Sequence, residues 1–178
     1  MRVKRFEEVV GHGDVIERLK RDIEGGRLAH AYLFVGPEGV GKATVARLFG
    51  AAVLCRGADP ARRPCGECLV CGKIRRGNHP DFFVLEPEAS RRWIRIDQVR
   101  RLRGSLSVRP FESDRRVVIV DGAHRMNDSA QNAFLKTLEE PPAGTLIVLV
   151  APGSHQLLPT MVSRCRIERF GPHFLHEI

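Results

Sequence analysis

No stretch of this 178-residue chain is apolar enough to span a bilayer. Its longest purely aliphatic run, Leu146 to Ala151, is far below the roughly 20 residues a membrane helix needs. A secretory leader is not expected either. Arg2, Lys4 and Arg5 start the chain basic, but Glu7 and Glu8 follow instead of an apolar core. The default expectation is therefore a cytoplasmic protein with no membrane partner. Aromatic residues make up only 6% of the chain and do not interleave with basic ones, which removes the usual signs of an RNA-recognition module or basic zipper. There is no internal repeat and no long disordered linker. Acidic residues are in deficit, 21 against 29 basic, giving a net charge of +8. Such a surface attracts nucleic acid by counterion release. It is equally a solvated arginine-rich face, and the densest cluster (Arg91, Arg92, Arg95, Arg100, Arg101, Arg103) does not decide between the two.

What is present is enough for one domain with a real core: 43% hydrophobic and 28% charged residues. In residues 14–24, Val15, Ile16, Leu19 and Ile23 recur at helical spacing, and Gly25-Gly26 stops the helix. "AYLFVG" (31–36), "FFVLEP" (82–87), "RVVIVDG" (116–122) and "TLIVLVA" (145–151) are short apolar runs of the kind that form buried parallel strands. "CRIERF" (165–170) predicts a fifth, just before Gly171-Pro172. Between them lie an alanine-rich helix to about Leu54, the helix "IDQVRRLRGSL" opened by Asp97, and the helix "DSAQNAFLKTLEE". Asp128 and Gln131 suggest a capping box for the last of these, and Pro141-Pro142 end it. Alternation of strand and helix predicts an α/β fold: a mostly parallel five-stranded sheet flanked by helices, active at the strand C-termini.

One segment, 55–79, breaks the rhythm. It reads "CRGADPARRPCGECLVCGK" and places Cys55, Cys65, Cys68 and Cys71 at C-x9-C-x2-C-x2-C. Two intervening residues let paired thiolates reach one ion, with Gly66 and Gly72 allowing the tight turns. Four thiolates fill a tetrahedral zinc shell, so the expected zinc is structural. Buried free cysteines or disulfides are the competing readings, and disulfides fit a cytosolic chain badly. His79 is read as a loop residue and Cys165 as an ordinary core cysteine.

"GPEGVGKAT" (36–44) follows a strand and opens a helix, the context a phosphate loop requires. Gly36, Gly39, Gly41 and Lys42 supply the loop. Its backbone N–H groups would cradle phosphates at the helix N-terminus, and Lys42 would reach the outer ones. Ala43 stands where a hydroxyl should hold magnesium, and Thr44, one position on, faces elsewhere. Asp121 ends an apolar strand where a metal-linked aspartate belongs, but Gly122 follows it instead of a water-activating carboxylate. Losing both points away from hydrolysis and leaves ATP binding itself open.

"FEEVVGHGDVIERL", "HAYLFVGPEGVGK", the four-cysteine insertion, "VVIVDGAHRMNDSAQNAFLKTLEEPP" and "LLPTMVSRCR" resemble, in that order and over nearly the whole chain, bacterial clamp-loader subunits. These are AAA+ proteins of the DNA polymerase III holoenzyme. The resemblance implies that the ATP-hydrolysing gamma/tau subunits carry the hydroxyl and an Asp-Glu pair. This chain lacks both and so resembles the delta-prime branch. It also implies that Arg164, in Ser-Arg-Cys, is an arginine finger for a neighbouring subunit's ATP site. Ala151-Pro152-Gly153 replaces the polar residue that senses the γ-phosphate. The implied partners are the gamma/tau and delta subunits, with the sliding clamp and primer-template DNA engaged through the complex. Residues 1–178 would be the AAA+ domain alone, without the family's lid and collar. Two other readings stay in play: an active ATPase of the gamma/tau type, and a zinc-dependent nucleic-acid-binding module.

Overall fold

A computed structural model describes residues 3–89 and 91–171; Arg2 at the basic start and Pro172 after the last strand lie outside them. Five strands form one sheet: β1 (Ala31–Val35), β2 (Phe82–Leu85), β3 (Arg116–Asp121), β4 (Thr145–Ala151) and β5 (Arg166–Arg169). Their order is β2-β3-β4-β1-β5, and all four pairings are parallel. Among the described residues six α-helices accompany them: α1 (Gly13–Glu24), α2 (Lys42–Leu54), α3 (Leu69–Arg76), α4 (Ile96–Leu106), α5 (Asp128–Glu139) and α6 (Pro159–Val162). The middles of the central strands are apolar because both faces are covered. Tyr32, Phe34, Val117, Ile119, Leu146 and Val148 pack on the face carrying α1, α2 and α3. Their sequence neighbours Leu33, Val118, Val120, Ile147 and Leu149 pack on the face carrying α4, α5 and α6. The twofold period of a strand divides one apolar run between two cores.

Helix starts differ from the sequence reading. α5 is capped by Asn127, whose side chain accepts from Ala130 N at 2.9 Å. Gln131 makes no capping box; its amide donates to Met126 O at 3.0 Å and accepts from Leu158 N at 2.8 Å, tying α5 to α6. α4 begins at Ile96, before Asp97, with Arg95 as its cap and the Gln98 side chain accepting from Arg95 N at 2.9 Å. At the other end of α4, the buried Arg116 donates to Leu106 O at 2.6 Å, placing a cation at a helix C-terminus. Two helices were not expected. α3 lies inside the cysteine segment and contributes Val70 and Ile74 to the core; α6 is a single turn before β5.

Candidate functional site

The cysteine segment closes on itself. The sulfurs of Cys55, Cys65, Cys68 and Cys71 all lie within 4.8 Å of one another, and Cys55 and Cys68 are 3.9 Å apart. Ligands about 2.3 Å from a common tetrahedral ion sit about 3.8 Å from each other, so the cluster is of the right size for one metal ion. Backbone amides already point at the sulfurs: Gly57 N and Cys65 N donate to Cys55, and Cys68 N to Cys65 at 3.3 Å. A thiol contact from Cys71, together with these amides, lowers the pKa of Cys55, while the same contact and burial raise that of Cys71. Gly66 has the positive φ expected of it, 75°. Gly72 does not make a turn, since it lies within α3. The tight position is Gly57, where a Cβ would meet Cys65 Cβ at 3.0 Å. His79 is not a member of the cluster. It is buried in the loop before β2, where Nδ1 accepts from Asp81 N at 3.1 Å. Cys165 stands apart, packed against the core, and burial pushes its thiol up to about 12.

At the C-terminal edge of the sheet, the ends of β3 and β4 and the loops after β1 and β2 border a cleft of about 630 Å³. The structure brings Gly39, Gly41, Lys42 and Asp121 together in its lining, beside Ala151, while Gly36 lies outside that lining. Gly36 is held next to the cleft by Pro152, whose carbonyl accepts from Gly36 N at 3.2 Å. The Lys42 ammonium turns back on its own loop, donating to Gly36 O at 2.6 Å and to Pro37 O. Burial lowers its pKa, against the opposing pull of Glu38 and Asp121. Asp121 accepts from Arg47 Nη2 at 3.3 Å, and the same guanidinium contacts Glu86 at 3.0 Å. Arg47 went unnoticed in the sequence because its partner is 74 residues away and no spacing rule connects them. Its position on α2, the helix the loop opens, was the available hint. Arg47 lays a fixed positive charge against the aspartate that a metal-dependent site would use for its ion.

Arg164 lies at the opposite edge. It precedes β5, whose first residue pairs with Tyr32 near the start of β1, whereas Gly36 follows the end of β1. A strand of that length separates the two edges by about 15 Å. Arg164 Nη2 donates to Glu139 Oε1 at 2.9 Å, and Nη1 to Thr160 O at 2.7 Å. The sequence links "NAFLKTLEEPP" to "SRC" only by resemblance; in the fold this ion pair joins them. The arginine cluster before and within α4 is partly neutralised. Arg91 and Arg101 pair with Glu88, and Arg95 and Arg101 pair with Asp97. Among the described residues Arg92, Arg100 and Arg103 make no ion pair.

Comparison with known proteins bears on these features. A family model described as "DNA polymerase III, delta subunit" matches residues 11–174. The DNA polymerase III subunit delta' of Pseudomonas aeruginosa is 46% identical over 143 residues, 79% of this chain and 43% of that protein. The DNA polymerase III subunit tau of Bacillus subtilis is 35% identical over 165 residues, 93% of this chain and 29% of that one. The chain thus spans less than half the length of either relative. The RuvB Holliday junction branch migration motor of Thermotoga maritima superposes with a TM-score of 0.61 at 18% identity, covering 97% of this chain and 49% of that one. That likeness is one of fold, the AAA+ architecture expected above. The chain belongs to the DNA polymerase III delta subunit family, with a delta' and a tau subunit among its relatives.

Proposed function

We propose that this chain is the AAA+ part of a delta-prime-type clamp-loader subunit that does not hydrolyse ATP and lends Arg164 to a neighbour that does. The observation that carries the reading is the placement of the two charged sites. The guanidinium lies at the sheet edge away from its own phosphate loop, so a γ-phosphate for it has to come from another subunit. The home cleft lacks the means of turnover. Ala43 offers no magnesium ligand, Gly122 no water-activating carboxylate, and Ala151-Pro152-Gly153 no polar sensor, while Arg47 is paired with Asp121. Gamma/tau and delta subunits are the proposed neighbours, in a ring that places the sliding clamp on primed DNA. The lid and collar would lie outside residues 1–178. The cysteine cluster is proposed to hold one zinc ion in a structural role, since all four ligand positions are thiolates. A guanidinium acting in trans stabilises charge on the transferring phosphoryl group and is worth about 10³–10⁵ in rate.

The test is Arg164→Ala in the full-length protein, reconstituted with its partners. Assembly is expected to persist, with clamp- and DNA-stimulated ATPase and clamp loading both falling. Wild-type ATPase and loading in an assembled complex would reject the role. The second reading, an active ATPase, is favoured by the tau relative's broad match; magnesium-dependent turnover by the full-length subunit alone, abolished by Lys42→Ala, would select it.

A further inference from the structure

The segment that carries Arg164 is too short to fix a side chain by itself. α6 spans four residues, about one helical turn, and is held instead by α5 at both ends. At its start, Leu158 N donates to Gln131 Oε1 at 2.8 Å. Just past its end, Arg164 Nη2 donates to Glu139 Oε1 at 2.9 Å. Gln131 and Glu139 lie about two turns apart on α5, so one helix splints the whole segment. Both elements are packed into the same core: Leu138, beside Glu139, and Met161, within α6, are 1% and 0% exposed.

The Glu139–Arg164 pair itself is half-exposed, with side-chain exposures of 42% and 35%. A pair so wet contributes little to folding stability, so stability is a weak reason for the contact. Its effect on the guanidinium is larger. Thr160 O holds Nη1 at 2.7 Å while Glu139 holds Nη2, which fixes both the plane and the reach of the group. Of the five N–H donors an arginine carries, those not used by Thr160, Ser163 and Glu139 are left for a ligand. A guanidinium already oriented loses less freedom on meeting a phosphate than one that is searching.

We propose that Glu139 is a positioning residue: through its carboxylate oxygen it holds Arg164 in the orientation in which it meets the neighbouring subunit's phosphate. This rests on the trans role of Arg164 proposed above. The requirement is for an oxygen acceptor at that point, so a neutral amide serves and an alanine does not.

The experiment compares Glu139→Ala, Glu139→Gln, Arg164→Ala and the Glu139→Ala/Arg164→Ala double variant. Each is made in the full-length protein, in complexes reconstituted with the ATP-hydrolysing partner, and kcat and KM for ATP are read separately. Glu139→Ala should lower kcat about tenfold with KM little changed, since it loosens a transition-state contact. Glu139→Gln should stay near wild type, and the double variant should be no slower than Arg164→Ala alone. If Arg164→Ala is impaired while Glu139→Ala runs at or above the wild-type rate, Glu139 does not position the arginine. A further loss in the double variant, or a loss in Glu139→Ala that tracks a lowered Tm, refutes it as well. If Arg164→Ala itself leaves kcat unchanged, the trans role has failed and the positioning role goes with it. Should Glu139→Ala misfold, the Gln variant is set against Glu139→Lys. The lysine lacks the acceptor and should lose kcat, and equal rates for the two would overturn the proposal.

Discussion

Asp81 is 2% exposed, and its carboxylate accepts three consecutive backbone N–H groups, from Phe111 and Glu112 at 2.7 Å and from Ser113 at 2.9 Å. Burial pushes its pKa up, but those three donors, with His79 nearby, outweigh it and leave the carboxyl below the usual aspartate value. A carboxyl with a depressed folded pKa stabilises the protein above its unfolded pKa, near 3.9, and the benefit fades as pH falls through the lower folded value. Asp81→Asn removes that benefit at neutral pH, because one amide oxygen cannot serve three donors. A loss of about 2–4 kcal/mol is expected in urea unfolding at pH 7. Stability should also fall less steeply than in wild type as pH drops below about 4; parallel pH profiles would assign the acid sensitivity to another group. Gly36 carries a different constraint from the one its motif announces. With φ at 153° its missing Cβ would sit 2.2 Å from Phe170 O, so the glycine is demanded by β5 as well as by the phosphate loop. Gly36→Ala must push the end of β5 away and should cost about 2 kcal/mol or more. An unchanged Tm would mean that the strand end yields freely.

α3 changes how the cysteine segment is understood at the scale of elements. As an insertion in a sheet protein it would unravel without consequence beyond itself. In the fold it places Val70 and Ile74, 6% and 8% exposed, in the core shared with α2 and β1. Its first turn is tied to the cluster, with Cys68 as N-cap accepting from Cys71 N. Metal removal or Cys68→Ser is therefore expected to free 55–76 and forfeit part of that burial, about 3 kcal/mol for two aliphatic side chains. The sheet should remain folded. Metal analysis of reduced protein should give one zinc per chain, and chelation should lower Tm while far-UV circular dichroism keeps most of its amplitude. Well under one equivalent of metal would reject the site. β1, β3 and β4 were legible in the sequence because parallel strands buried on both faces read as apolar runs; β2 is an apolar run at the sheet edge, and the charged β5 was legible from its place just before Gly171-Pro172. α3 was hidden because its eight residues begin and end among cysteines and arginines whose spacing speaks first of metal. α5 was legible, but its cap is Asn127, one residue before the Asp128 that the sequence suggests. Asn127 and Asp128 are both good caps, and what decides between them is Gln131, drawn off to Leu158 by a contact 27 residues away.

Across the whole molecule, the sheet separates two kinds of chemistry. At its C-terminal edge sit the loop, Lys42 and Asp121; at its N-terminal edge sit Arg164 and Glu139. The first edge was readable from spacing, because a phosphate loop is a local motif. The Arg47–Asp121 ion pair was not, since it depends on how α2 packs beside β3. On the proposed reading, that ion pair makes the defect in hydrolysis deeper than the missing hydroxyl. Ala43→Thr would restore the side chain that holds magnesium in active relatives of the fold, yet Asp121 would still face the Arg47 guanidinium. Gly122 would still supply no base. The full-length Ala43→Thr variant is therefore expected to hydrolyse Mg-ATP no faster than wild type. Joining it to Arg47→Ala and Gly122→Glu, which free the aspartate and add a carboxylate, addresses the remaining gaps other than the polar sensor. Nucleotide affinity, if measurable, should be insensitive to magnesium in wild type and become magnesium-dependent only when Ala43→Thr and Arg47→Ala are combined. Turnover by Ala43→Thr alone would show that a single hydroxyl was all that silenced the site, and that the Arg47–Asp121 pair is no barrier to a metal ion.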